Sequence, residues 1–343
     1  MIHFFRTFVT MKLEEIVKEK ILILDGAMGT MIQHHKLSEE DFRGEKFKNW
    51  HKDLKGNNDL LSITQPEIIK NIHLEYFEAG ADMIETNTFN SNKISMADYD
   101  MQDLIYDLNF TAAQLACQAR EEFQQKHGAK PLFVIGSMGP ASKTASLSPD
   151  VNNPAYREVD FDLLAQVYKE QAKALIAGGV DVLLVETVFD TLNAKAAFFG
   201  IEEAFDEVGK TLPLMASGTI TDAAGRTLSG QTTEAFLVSL SHLPLFSIGL
   251  NCALGAEQLL PYLEILAKES PFYVSAYPNA GLPNPLGGYD ETPKMMTEKV
   301  KLYLENGLVN ILGGCCGTTP EHIKLFAETA KNYPPRVIEK VEV

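Results

Sequence analysis

GGVDVLLVETVFDTLNAKAAFFGIEEAFDEVG, residues 178–209, decides the fold. It opens on a glycine pair that stops whatever helix precedes it. It then runs through the apolar DVLLVET (181–187) and passes into a patterned stretch, 191–208, with helical spacing. The run 181–187 shows no clean alternation of apolar and polar residues, so it reads as a strand covered on both faces. One such strand–helix unit predicts a parallel sheet.

The same unit recurs on both sides. Strands are expected at ILILDG (21–26), ADMIETN (81–87), LFVIGS (132–137), PLMASG (213–218), FSIGLN (246–251), FYVSA (272–276) and LVNILGG (308–314). Helices are expected at 66–79, 102–127, 161–177, 191–208, 232–241, 256–269, 292–306 and 320–331. Eight strand–helix pairs in order, with no Pro- or Ser-rich linker between them, predict one α/β domain. It is a (β/α)8 TIM-type barrel, with a doubly wound open sheet as the alternative. The barrel is placed at 12–335, after an N-terminal extension (1–11) and before a C-terminal tail or start of a linker (336–343) that reads as a module end.

Long connections fall at 33–62, 141–160 and 277–290, each after a strand. In a barrel they overhang the C-terminal mouth, where active sites form.

The 343 residues carry 30 Lys and Arg against 46 Asp and Glu, a net charge of −16. A surface that acidic repels phosphates, which argues against nucleic acid and anionic membranes as partners. No apolar run approaches the ~20 residues needed to cross a bilayer. The opening MIHFFRTFVT lacks a cleavage site, and Met11 is an alternative start. Four cysteines, two of them adjacent, suit a reducing compartment and point to the cytoplasm.

Chemistry concentrates in Gly313-Gly314-Cys315-Cys316-Gly317. Neighbouring side chains on a strand face opposite ways, so adjacent cysteines serve one metal only where the backbone turns sharply. A vicinal disulfide and a pair of buried small hydrophobes are the other readings. Cys252 ends the sixth strand, far from any local zinc-finger spacing. In a barrel, however, the ends of strands six and eight open on one mouth, where Cys252, Cys315 and Cys316 could form a catalytic zinc site with one open position. Cys117 lies in a helical pattern without such partners and reads as structural.

Asp25, Glu85 and Glu186 lie in or at the ends of strands one, two and four. Asp25 with Glu186 could hold a substrate ammonium; the other reading is that Asp25 merely caps the Gly26–Gly29 turn. The turn Gly26-Ala27-Met28-Gly29 is neither a P-loop nor a dinucleotide fingerprint, and its N–H groups could receive a carboxylate. His73 and His322 sit in helix patterns and read as surface or packing residues, and Ser137, Asn87 and Ser217 near strand ends are weak signals.

LDGAMGT, ETNTFNSN, GSMGP, VETVFDTLNAKAA, GLNCALGAE and GGCCGTTPEH occur in that order. With them the chain resembles the homocysteine S-methyltransferase family, and more closely the homocysteine-binding module at the N-terminus of cobalamin-dependent methionine synthase. The resemblance implies zinc on Cys252, Cys315 and Cys316, L-homocysteine as substrate, and contacts to it from Asp25, Gly26, Ala27 and Glu186. It also implies that Asn279 can take the fourth zinc position until substrate arrives. Zinc would favour homocysteine as a thiolate able to attack an activated methyl group. One barrel fills the chain and no corrin-binding Asp-x-His-x-x-Gly occurs. The methyl donor implied is therefore methylcobalamin on a separate protein or further domain, with corrinoid- and folate-binding domains or proteins as partners. A sulfonium or betaine donor is the alternative within the same chemistry. A zinc- and homocysteine-binding protein without turnover, and a redox switch through Cys315 and Cys316, are the alternatives outside it.

Overall fold

The segment that opened the sequence reading forms a strand, β4 (Val182–Val188), and a helix, α4 (Thr191–Val208). The Asp190 side chain caps the helix by accepting from the Leu192 N–H, and Gly209 at φ +69° ends it. A computed structural model describes residues 13–338 apart from 223 and 285–287. The N-terminal extension 1–11 and tail residues 339–343 lie outside it.

The other seven units repeat the pattern. The strands are β1 (Leu22–Ile23), β2 (Met83–Glu85), β3 (Phe133–Met138), β5 (Leu214–Gly218), β6 (Leu245–Gly255), β7 (Tyr273–Asn279) and β8 (Ile311–Leu312). The helices that follow them are α1 (Pro66–Glu78), α2 (Ile105–His127), α3 (Phe161–Gly178), α5 (Thr233–Leu240), α6 (Ala256–Glu269), α7 (Pro293–Glu305) and α8 (Pro320–Ala330). All pairings are parallel, in the order β1-β8-β7-β6-β5-β4-β3-β2. A parallel bridge from Leu24 to Met83 joins the two ends. The sheet therefore closes on itself, which settles the choice between barrel and open sheet in favour of the barrel.

Side chains alternate across each strand. Leu22, Leu24, Met83, Phe133, Ile135, Val182, Leu184, Met215, Phe246 and Ile311 pack into one buried interior cluster. Leu13 and Val17, from the helical stretch 13–19, join it and plug the end opposite the mouth. The outward-facing residues pack under the helices in a larger cluster. Gly200 lets α4 lie against α3, since a Cβ there would stand 2.1 Å from the Ala165 carbonyl oxygen.

Counting on along the inward faces past the apolar layers reaches Glu85, Ser137, Glu186, Ser217, Asn251 and Tyr277. A polar ring thus sits on an apolar plug. Strand alternation delivers it to the mouth, except on β6, where a slip in the pairing with β5 moves the inward face from Phe246 to Ser247 and so to Asn251.

The tail departs from its sequence reading at one residue. Arg336 is buried, and its guanidinium donates to the carbonyls of Ala267 and Ser270 at 2.7 Å and of Phe272 at 2.9 Å. Its own carbonyl accepts from Asn310 Nδ2 at 2.8 Å. The carbonyls at the end of α6 and the start of β7 need donors, and Arg336 supplies them. The chain is therefore anchored one residue beyond the expected boundary.

The long connection 33–62 also carries short helices that apolar periodicity did not signal. Glu39–Arg43 is held by a capping box between Ser38 and Asp41. No helix among the described residues is long and apolar enough to cross a membrane.

Candidate active site

β6 and β8 bring three sulfurs together at the mouth. Cys252 Sγ lies 3.8 Å from Cys316 Sγ, and Cys315 Sγ lies 4.0 Å from Cys316 Sγ. All three ligand atoms fall within 4.8 Å of one another. A tetrahedral ion with sulfur at about 2.3 Å needs its sulfurs about 3.8 Å apart. Cys117 lies elsewhere, buried against the carbonyls of Gly178 and Gly179, and is structural as expected.

The backbone turn that adjacent cysteines require is present. The Cys315 N–H donates to the Pro278 carbonyl at 2.8 Å, the Cys315 carbonyl accepts from the Thr318 hydroxyl, and the Cys316 carbonyl accepts from the Ala280 N–H. Gly317 follows at φ +82°, and a Cβ on it would stand 2.4 Å from Tyr289. Only glycine fits there.

Charge in this cluster is shared. Thiol donation from Cys252 and Cys315 draws Cys316 well below the usual thiol range, and the same sharing pushes Cys315 well above it. Three sulfurs this close can all ionise only around a cation. The Asn279 side chain, at the end of β7, is buried with an Oδ1 that has no hydrogen-bond partner. A borderline-soft divalent ion such as zinc fits three thiolates and one such oxygen.

Two buried carboxyl groups, Asp25 and Glu186, and the half-buried Glu85 face the same space. Asp25 Oδ2 accepts from the Glu85 N–H at 3.0 Å. Burial raises its pKa well above the ordinary carboxylate value, the Glu85 N–H opposes this, and the Glu186 charge adds to it. Glu186 accepts from the Ser137 hydroxyl. Burial pushes it up to about 7, against the pull of that hydroxyl. Glu85, given no role from sequence, is also raised, by burial and then by Glu186 and Asp25, and its Oε1 has no partner. Three carboxyls of like charge, two of them buried, make a site that a cationic group would relieve.

Gly26 follows Asp25 where a Cβ would stand 2.7 Å from the Thr318 hydroxyl. The Ala27 N–H donates to that hydroxyl at 3.2 Å. At Ala27 the N–H of this turn is thus engaged within the chain. The reason is that the loop after β8 folds back over it.

Asn251 and Tyr289 escaped the sequence reading. Asn251 stands beside Cys252 and bonds both Thr187 and Ser217. Tyr289 packs against Gly317, the residue directly after Cys316. His322 does not touch the site; its Nδ1 accepts from the Thr319 N–H, and its Nε2 donates to the Glu291 carbonyl, pinning the segment that carries Tyr289. His73 is fully buried without a partner on either ring nitrogen and is a packing residue. Asn87 ties two mouth loops together through the Asn58 carbonyl and Ser62.

The loop 141–160 is clamped beside Glu186. Asp190, while capping α4, also accepts from the Thr144 and Ser146 hydroxyls, and Asn193 accepts from the Ala145 N–H and donates to the Lys143 carbonyl. This is the structural content of VFDTLNAKAA.

A family model described as homocysteine S-methyltransferase matches residues 22–330. The chain belongs to the homocysteine S-methyltransferase family. Solved structures of the homocysteine methyltransferase MmuM from Escherichia coli share its fold. The oxidised form aligns with TM-score 0.71 at 20% identity, covering 91% of this chain and 96% of that one. The metallated form aligns with TM-score 0.69 at 21% identity, covering 92% and 98%. Within the family frame, the motifs at the ends of β6 and β8 are the ones that carry the sulfur cluster.

Proposed function

We propose that this chain is a zinc-dependent methyltransferase module that binds L-homocysteine as a thiolate and yields methionine. The observation that carries the reading is the convergence of Cys252, Cys315 and Cys316 beside buried acidic groups at one barrel mouth. Zinc held by the three thiolates, with Asn279 as fourth ligand before substrate, would lower the thiol pKa of homocysteine and leave its sulfur nucleophilic.

The remaining work falls to the chain itself. Asp25 and Glu186 receive the α-ammonium by charge-assisted hydrogen bonds, and Ser137 fixes the Glu186 carboxyl. The substrate carboxylate lies toward the Gly26 turn. The apolar plug beneath the polar ring closes the barrel to water from below. Holding the amine end fixes the direction from which the sulfur meets a methyl group, which is the positioning that a displacement requires.

The finer proposal concerns the donor. The resemblance to the methionine synthase module favours methylcobalamin carried on a separate domain or protein, with a folate-binding partner supplying its methyl group. Purified zinc-loaded protein given homocysteine and either methylcobalamin or S-methylmethionine decides it. Methionine from methylcobalamin alone supports the proposal. Methionine from the sulfonium alone moves the protein to the direct-donor branch, and binding without product from any donor refutes catalysis.

A further inference from the structure

Two strands leave regular geometry where the site is built. The pairing of β4 with β5 slips between Val185 and Val188, and that of β6 with β7 slips between Asn251 and Gly255. At these slips Thr187 has φ +53°, Cys252 +58° and Ala253 +51°. The left-handed region is unfavourable for a non-glycine residue, most of all a β-branched one, so surrounding contacts must hold it.

At Thr187 the holding contact is Asn251. Its Oδ1 accepts from the Thr187 N–H at 3.1 Å, and its Nδ2 donates to Thr187 Oγ1 at 2.8 Å. The Ser217 hydroxyl donates to the same Oδ1 at 2.7 Å. Asn251 is fully buried, so these bonds face no competition from water. The amide thus spans β4, β5 and β6. One residue before Thr187 is Glu186, and one residue after Asn251 is Cys252.

We infer that Asn251 is the positioning residue that fixes the separation between the Glu186 carboxyl and the Cys252 sulfur, and through it the length of the aminothiol the site accepts. The inference rests on the reading above, in which Glu186 holds the amine and Cys252 belongs to the metal site. The slip in each strand supplies freedom, and the Asn251 amide removes it. A shift of β4 against β6 would carry the amine anchor away from the sulfur end. An aminothiol one methylene shorter than homocysteine, namely cysteine, would then be rejected less sharply.

The test is calorimetric binding of homocysteine and of cysteine to the zinc-loaded chain, with metal content measured on each sample. The wild-type chain is expected to prefer homocysteine. Asn251→Ala is expected to keep its zinc and to narrow that preference about tenfold, the scale of losing buried hydrogen bonds at a positioned group. A purely structural role would weaken both ligands alike, and an unchanged preference overturns the inference. Adding Thr187→Gly to Asn251→Ala should recover part of the preference, because glycine adopts this φ unaided; no recovery also overturns it. Ser217→Ala removes one bond and serves if Asn251→Ala does not fold, with a smaller narrowing expected and none as the contrary result. A wild-type chain that shows no preference would instead strike the reading of the site itself.

Discussion

Cys252 Sγ stands 3.8 Å from Cys316 Sγ although 64 positions separate them in the chain. Nothing local brings them together. Barrel closure sets β6 and β8 on either side of β7 and opens both at one end. The sulfur cluster is therefore a property of the tertiary fold, and each of its members should be indispensable to metal binding.

Cys316→Ala tests that dependence. Purified wild-type chain should carry about one zinc, and the variant almost none, because two thiolates and one amide oxygen do not complete a structural ligand set. Elemental analysis of reduced protein reads the outcome, and undiminished zinc in the variant would remove Cys316 from the ligand set.

Glu186→Gln separates amine binding from metal binding. The substitution keeps the size of the side chain and removes its charge. Homocysteine affinity should fall about 10- to 100-fold, the range for a charge-assisted hydrogen bond, with zinc content unchanged. Loss of zinc in this variant would mean that Glu186 supports the metal rather than the amine.

Gly317→Ala probes the turn that aims Cys316. A methyl group at φ +82° meets Tyr289 at 2.4 Å. The two effects together should cost about 1–3 kcal/mol of stability and reduce zinc occupancy, since Cys316 immediately precedes the displaced residue. Thermal melting and metal content read these together; wild-type values of both would show that the loop yields freely.

A pH effect follows from Asp59, which ties two mouth loops by accepting from the Asn90 N–H and the Ser91 hydroxyl. Burial raises its pKa from 3.8 to about 6, more than those two bonds lower it. A carboxyl with a raised folded pKa binds more protons folded than unfolded between those values. Its contribution to stability therefore falls as pH rises from about 4 to 6 and stays lost above. Asp59→Asn keeps an acceptor oxygen and removes the charge. It should gain up to about 2–3 kcal/mol relative to wild type on going from pH 4 to pH 8. Urea unfolding of both proteins at the two pH values checks this, and parallel pH curves would contradict it.

How much of this was legible in the sequence depends on what kind of signal each residue leaves. The strand beginning at Val182 and the helix Thr191–Val208 stand where apolar runs and periodicity put them, and so does Ala256–Glu269. β1 and β8 shrink to Leu22–Ile23 and Ile311–Leu312 because the backbone beyond them turns into site loops instead of pairing. Cys315-Cys316 could be noticed in sequence because adjacent cysteines among glycines are unusual. Asn251 could not, because a buried asparagine at a strand end looks the same whether it clamps a strained neighbour or merely satisfies a backbone group. Arg336 was hidden for a related reason, since a tail arginine gives no sign in sequence that three carbonyls await it.

The most direct measurement is the electronic spectrum of the chain with cobalt(II) in place of zinc. Three sulfur ligands in a tetrahedral set should give intense sulfur-to-metal charge-transfer bands, and added homocysteine should strengthen them as a fourth sulfur joins. A cobalt-loaded protein without those bands would mean that Cys252, Cys315 and Cys316 do not share an ion, and the functional account would fall with them.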